Sequence, residues 1–102
     1  MDMAHIVTAA REYVAANLGL EGDELEEFVD SFILSWNEVK RDFAAQAESP
    51  DLAKVREINH RVRGILAAVQ VPELSEINEA MNAAAKAGDV EGVKAGIAHL
   101  ID

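Results

Sequence analysis

The chain has no cysteine and only two prolines, one tryptophan and one tyrosine in 102 residues. Without cysteine it can form no disulfide, no thiolate metal site and no thiol nucleophile. It also has no run of the roughly 18 apolar residues that a membrane span needs. Its first residues show neither the basic start nor the apolar run of a signal peptide. These absences predict a cytoplasmic protein that does not enter a membrane.

Basic residues are also few, since nine Lys and Arg stand against nineteen Asp and Glu, for a formal net charge of −10. Such a field repels a phosphate backbone, so nucleic acid is not an expected partner. The sequence contains no glycine-rich phosphate loop or other nucleotide-binding motif. We therefore expect no kinase or ATPase activity, and no bound cofactor or metal.

Strong helix formers, by contrast, are abundant, with eighteen alanines among them. Short breaks at 19–22, 48–50, 71–72 and 88–89 divide the chain into five predicted helices, near residues 3–18, 23–47, 50–70, 73–87 and 90–101. Because the connections are short, neighbouring helices are expected to run antiparallel. The length suits one all-α domain over residues 1–102.

Capping patterns predict several helix ends. Asp23 is the predicted N-cap of the second helix, and Ser49 followed by Pro50 is the predicted N-cap and first turn of the third. Gly88 suits the end of the fourth helix, and Asp89 suits the N-cap of the fifth.

Apolar positions at helical spacing predict one core closed by a single chain, and hence a monomer. The second helix contributes a stripe of Leu25, Phe28, Phe32, Trp36, Val39 and Phe43. The first helix is expected to pack on the bundle through Ile6, Ala10, Tyr13 and Val14. Leu34 lies opposite the stripe, where it meets either the first helix or a partner.

The third helix holds the residues that indicate chemistry. Its apolar positions fall within one arc of the helical wheel: Leu52, Val55, Ile58, Val62, Ile65, Leu66 and Val69. His60 lies roughly 160° from the centre of that arc, which predicts an exposed imidazole at mid-helix. His5 and His99 also lie outward on their helices, but neither has two cations and a glycine beside it. Both are interpreted as surface residues.

Two features surround His60. Gly64 follows one turn later and Ala67 follows at the next turn, and a mid-helix glycine costs about 1 kcal/mol relative to alanine. Three explanations for Gly64 remain open. It leaves space for another protein to approach, it allows close packing between helices of this chain, or a glycine is simply tolerated at this position. Arg56 and Arg63 flank His60, and they indicate either a site for a phosphoryl anion or an ordinary solvated face.

The segment His60–Gly64, with the sequence His-Arg-Val-Arg-Gly, resembles the His-x-Leu-Lys-Gly signature of histidine-phosphotransfer (HPt) domains. The approach through residues 51–59 and the turns at Val71–Leu74 and Ala87–Glu91 are similar to parts of the same family. The resemblance covers roughly residues 23–101. It implies an up-down four-helix bundle over residues 23–102, preceded by an accessory helix and loop over residues 1–22.

The resemblance further implies that His60 accepts a phosphoryl group from an aspartyl phosphate on a receiver domain and passes it to another response regulator. A hybrid sensor histidine kinase would stand upstream, and the magnesium ion would belong to the receiver. Arg63 and Gly64 would assist His60 directly, with Arg56 and Ala67 in secondary roles. An imidazole on a helix surface can be reached by another protein, as a nucleophile must be.

Three positions depart from the family pattern. Asn59 replaces a small apolar residue, Arg63 replaces a lysine, and Ile65 replaces a small residue. Arginine keeps the charge of lysine but presents a planar fork in place of a point charge. These departures leave two alternatives open. One is a non-transferring module that binds or inhibits a kinase or receiver, and the other is a helical protein in which His60 is incidental.

Overall fold

A computed structural model describes residues 1–101 as five α-helices, with no β-strand in that range. The helices are α1 (Met3–Asn17), α2 (Gly22–Ala44), α3 (Leu52–Ala68), α4 (Pro72–Lys86) and α5 (Val90–Ile101). The prediction of an all-α chain with five helices is therefore confirmed. Asp102, to which the predicted domain extends, lies outside the described residues.

The start of α3, the helix that carries His60, differs from the prediction. Asp51, and not Ser49, is the N-cap of this helix. The Asp51 carboxylate accepts hydrogen bonds from the backbone N–H groups of Ala53 and Lys54 at 3.1 and 3.4 Å. The Asp51 N–H in turn donates to Oε1 of Gln46 at 2.7 Å. A carboxylate at a helix N-terminus also interacts favourably with the helix dipole. The helix consequently begins at Leu52, after Pro50.

Other helix ends agree with the sequence patterns in part. The expected N-cap at Asp23 is wrong, because α2 begins after Glu21 and Asp23 lies in its first turn. Gly88 has a φ of +73°, a left-handed conformation that glycine adopts without strain, and it follows the end of α4 as predicted. Asp89 accepts a hydrogen bond from the backbone N–H three residues later at 3.0 Å, which confirms it as a cap of α5.

The helices pack into an elongated molecule of 44 × 19 × 19 Å. α2 and α4 each pack against α3 and α5, and α1 packs mainly against α2. The predicted core is confirmed, with Trp36 fully buried at its centre and Phe28 and Tyr13 partly buried at its edge. Fully burying one large apolar side chain contributes about 1.5–3 kcal/mol before the entropy of ordering it is subtracted.

The N-terminal helix is anchored at its first turn as well as by its apolar face. The Met1 ammonium group donates a hydrogen bond to the backbone carbonyl of His99 at 3.0 Å, and His5 contacts Glu73 at the start of α4. Leu34 is 66% exposed, so this side chain does not pack on α1. No helix within residues 1–101 combines the length and the apolar character needed to cross a membrane.

Candidate functional site

His60 is exposed at the middle of α3 because the large apolar residues of that helix point the other way. Val55 and Val62 are fully buried, and Ile58 is only 6% exposed. His60 lies on the opposite side of the helix, in contact with solvent. The predicted exposure of this imidazole is confirmed, and a role as a buried core histidine is excluded.

On the side of α3 that faces α4, His60 borders an open groove, which we call the α3–α4 groove. Six lining residues come from α3 and two from α4: Ala53, Arg56, Glu57, Asn59, His60, Arg63, Asn82 and Lys86. Arg56 and Lys86 make no ion pair within residues 1–101. Both cations are therefore available to an anion that enters the groove beside the imidazole.

Arg63 also lines the groove, but it has a carboxylate partner. Its Nε and Nη2 atoms donate to Oε1 of Glu79 at 3.1 and 2.8 Å, and Nη2 also donates to Oε2 at 2.9 Å. The two side chains are 59% and 53% exposed, and exposed ion pairs contribute only about 0–1 kcal/mol. Arg63 is thus held beside His60 with its charge largely compensated, and the contact is weak enough to open.

On its other exposed side, α3 faces α2, and the surface between these two helices is open at Gly64. We call it the α2–α3 face, and its lining includes Ser31, Ser35, Glu38, Arg61, Gly64, Ile65 and Ala68. A Cβ atom added at Gly64 would meet nothing within 4 Å. Close helix packing therefore does not explain this glycine, which leaves clearance for a partner or simple tolerance. Ala67, predicted as a secondary site residue, is exposed.

Beneath the α3–α4 groove lies a pair of asparagine side chains that the apolar pattern did not predict. Nδ2 of Asn59 donates to Oδ1 of Asn78 at 2.8 Å, and Nδ2 of Asn78 donates to the backbone carbonyl of Asn59 at 3.0 Å. Both residues are 2% exposed. Asn59, which lines the floor of the groove, thereby connects the backbone next to His60 with α4.

The other two histidines lie away from the groove. His5 and His99 are both exposed, as predicted. Nε2 of His5 lies 3.0 Å from Oε1 of Glu73, and this hydrogen bond and the carboxylate charge raise the pKa of His5. Within residues 1–101, no three His, Asp or Glu side chains come together in an arrangement that could hold a metal ion.

The sequence could not have identified every member of this site. Asn82 and Lys86 are spaced one turn apart on α4, which is the only local sign that they share a surface. Their position opposite His60 follows from the way α4 lies along α3, as does the pairing of Glu79 with Arg63.

A scan against protein-family models and searches of curated proteins and of solved structures found no match to this chain. The likeness to HPt domains therefore rests on the residues of the chain itself and on where they lie.

Proposed function

We propose that this chain is a histidine phosphocarrier of the HPt type, in which His60 carries the phosphoryl group between receiver domains. In this proposal α2–α5 form the up-down four-helix bundle of that family, and α1 is its accessory helix. One observation carries the proposal. His60 is exposed at mid-helix, between a groove with two unpaired cations and a face with no bulky side chain at Gly64.

The proposed reaction uses the imidazole of His60 as nucleophile. One ring nitrogen attacks the phosphorus of an aspartyl phosphate on the receiver, the N–P bond forms, and the P–O bond to the aspartate breaks. The aspartate carboxylate leaves with the electron pair of that bond. Transfer to a second receiver is the same step in reverse. Such in-line displacements require mainly alignment and charge stabilisation, so a surface histidine with nearby cations is sufficient.

The α3–α4 groove supplies charge stabilisation from this chain. α3 carries four of the nine basic residues and only one acid, Glu57, in a protein of net charge −10. We expect Arg56 and Lys86 to contact the oxygens of the phosphoryl group on His60. Arg63 joins them when it releases Glu79. The resemblance to the HPt signature favours Arg63 among these cations, whereas the carboxylate partner of Arg63 favours a larger role for Arg56 and Lys86.

The α2–α3 face supplies access for the receiver. A donor aspartate must come within about 3–3.5 Å of the imidazole nitrogen, so the surface of the receiver must approach α3 closely. Gly64, one turn from His60, has no side chain to obstruct it, and Ser31 and Ser35 of α2 are small. The exposed Leu34 of α2 offers apolar contact area near the same surface.

The proposal is tested by incubating the protein with a receiver domain that carries ³²P-labelled aspartyl phosphate. We expect about one phosphoryl group per chain, lost in acid and retained in base, as for a phosphoramidate. His60→Gln should abolish labelling and leave helicity intact. His5→Gln and His99→Gln are matched controls that should label as wild type does.

The same experiment separates the alternatives. A receiver that binds the protein without labelling it would favour a non-transferring interaction module. The absence of both labelling and binding across the receivers encoded near the gene would leave His60 as an incidental surface residue and contradict the proposal.

A further inference from the structure

Asn59 and Asn78 are the two polar residues that are buried within residues 1–101. Their side chains join α3 to α4 inside an otherwise apolar core, through the two hydrogen bonds of 2.8 and 3.0 Å. Asn59 immediately precedes His60. Asn78 lies on the same stripe of α4 as Asn82 and Lys86, at successive intervals of four residues.

The asparagine pair is not the arrangement that would best stabilise the fold. Oδ1 of Asn59 is buried and has no hydrogen-bond partner within residues 1–101, and an unpaired buried acceptor opposes folding. Nδ2 of Asn59 lies near Sδ of Met81 at 3.6 Å, a weak acceptor that adds little. Two apolar side chains of suitable size would fill the same space without an unpaired polar atom.

The two amide groups, unlike apolar side chains, form directional contacts. Hydrogen bonds between specific atoms are satisfied at one axial position of α3 on α4, whereas apolar contact tolerates sliding. The exposed Arg63–Glu79 contact joins the same two helices, but exposed ion pairs are weak. The buried pair is therefore the contact that can define the register.

We propose that Asn59 and Asn78 are positioning residues that hold α3 and α4 in the register that sets His60 opposite Asn82 and Lys86. This inference rests on the proposed phosphocarrier function, because the register matters for transfer only if the groove receives the phosphoryl group. The pair contacts neither the phosphoryl group nor the receiver. It acts through the placement of the groove residues.

Replacement of both amides by apolar residues tests the inference. In Asn59→Ala/Asn78→Leu we expect a melting temperature equal to or above that of wild type. We also expect the maximal rate of transfer from a ³²P-labelled receiver to fall by about tenfold or more, because small misplacements are costly in transfer reactions. The affinity for the receiver should change little. Asn59→Ala/Asn78→Ala repeats the transfer measurement with smaller side chains. The space that they leave should lower the melting temperature, so its transfer rate is compared with that of Val93→Ala at equal loss of stability.

A second readout does not depend on phosphate. NMR relaxation dispersion on the unphosphorylated double variants should show millisecond exchange at His60 and Lys86 that wild type lacks. The control is Val93→Ala, which removes core volume from α5, a helix that carries neither asparagine. It should lower stability and preserve transfer per folded molecule.

Double variants that transfer at the wild-type rate and show no exchange would overturn the positioning role. A fall in transfer equal to that of Val93→Ala, at equal loss of stability, would also overturn it. If wild type accepts no phosphoryl group but the double variants show exchange in the groove, the phosphocarrier proposal fails and the register role stands.

Discussion

The two exposed sides of α3 differ in chemistry although they share one helix and one histidine. The α3–α4 groove holds Arg56 and Lys86, two cations without a carboxylate partner in the described chain. The α2–α3 face is open at Gly64, where an added Cβ atom would meet nothing within 4 Å. One side is suited to hold an anion, and the other is suited to let a protein surface approach.

In the proposed function, this difference is what would let a helical surface without a deep pocket favour one reaction. His60 lies on the boundary. In the proposed transfer, the phosphoryl group on its ring would turn toward the cations while the donor or acceptor occupies the open side. Neither side alone distinguishes His60 from an ordinary surface histidine. His5 has a neighbouring carboxylate, that of Glu73, and His99 lies in the last turn of α5. Neither histidine combines unpaired cations on one side with an open face on the other.

Among the single substitutions that keep His60, removal of charge from the groove is expected to have the largest effect on transfer. A cation near a phosphoryl group at a protein surface contributes on the order of 1 kcal/mol or more, which is about fivefold or more in rate. Arg56→Gln and Lys86→Gln should each slow transfer by about that factor and shorten the lifetime of the phosphohistidine. Both are measured with a ³²P-labelled receiver.

Lys94→Gln is the matched control, because it removes one positive charge from α5, outside the groove. If it slows transfer as much as Lys86→Gln does, the effect is one of net charge and the groove has no special role. Arg63→Gln should have a smaller effect than Lys86→Gln, since Glu79 already compensates its charge.

Gly64→Gln addresses the open side. The added side chain points into free space, so the fold should survive, but it should obstruct the receiver and slow transfer several-fold or more. Intact helicity by circular dichroism, together with weaker receiver binding, is the expected pattern. Unchanged binding and transfer would show that Gly64 is merely tolerated.

The sequence predicted the exposed imidazole correctly because a single helix suffices for that inference. The seven apolar positions from Leu52 to Val69 define the buried side of this helix, and the exposure of His60 follows from the helical period alone. The missed residues all require knowledge of a second helix. Lys86 lies 26 positions after His60, and Glu79 reaches Arg63 only because α4 packs along α3. Asn59 departs from the HPt pattern and can be singled out from the sequence. The polarity of Asn78 gives no sign that this residue is buried and paired with Asn59.

The start of α3 shows a different limit. Ser49-Pro50 and Asp51 are both good capping patterns, and local propensity ranks them almost equally. The Gln46 side chain, which binds the Asp51 N–H, is a contact from the preceding turn that decides between them. Helix ends are therefore predicted less well than helix faces, because a shift of two residues changes few local interactions.

Gly64→Ala is expected to stabilise the protein by about 1 kcal/mol, since alanine is the better helix former and the new methyl group meets no other atom within 4 Å. For a domain of this size that corresponds to a rise of roughly 4 °C or more in melting temperature. Fluorescence of the single, fully buried Trp36 reports the transition.

Gly96 on α5 is the matched comparison, because its added Cβ would lie 3.1 Å from Cε of Met81 and would crowd that side chain. Gly96→Ala should therefore melt below Gly64→Ala, although the gain in helix propensity is the same. Equal melting temperatures would indicate that Gly64 is as confined as Gly96, contrary to the open α2–α3 face.

The smallest expected effect concerns the contact of His5 with Glu73, remote from both sides of α3. The folded-state pKa of His5 is raised, mainly by its hydrogen bond to Glu73. The contact therefore makes its full contribution to stability below pH 6.5, the ordinary pKa of an imidazole. This contribution is lost as the pH rises through the raised pKa. The melting temperature of Glu73→Gln should be slightly below that of wild type at pH 6 and equal to it at pH 9.

Glu76→Gln, which changes an exposed acid on α4 with no histidine partner, is the control and should show no such pH dependence. Neither substitution should alter phosphotransfer, since α1 and the start of α4 line neither side of the His60 site. A deficit for Glu73→Gln that persists at pH 9 would assign the effect to something other than the protonated imidazole.

The most direct measurement is NMR of the ¹⁵N-histidine-labelled protein after incubation with a phosphorylated receiver. A phosphoryl group on the imidazole produces a ³¹P–¹⁵N coupling at one ring nitrogen and shifts the resonances of that ring. The expected result is a coupling at His60 alone, with His5 and His99 unchanged. A coupling at His5 or His99, or none at any histidine in a protein that binds the receiver, would contradict the assignment of His60 as the phosphoryl carrier.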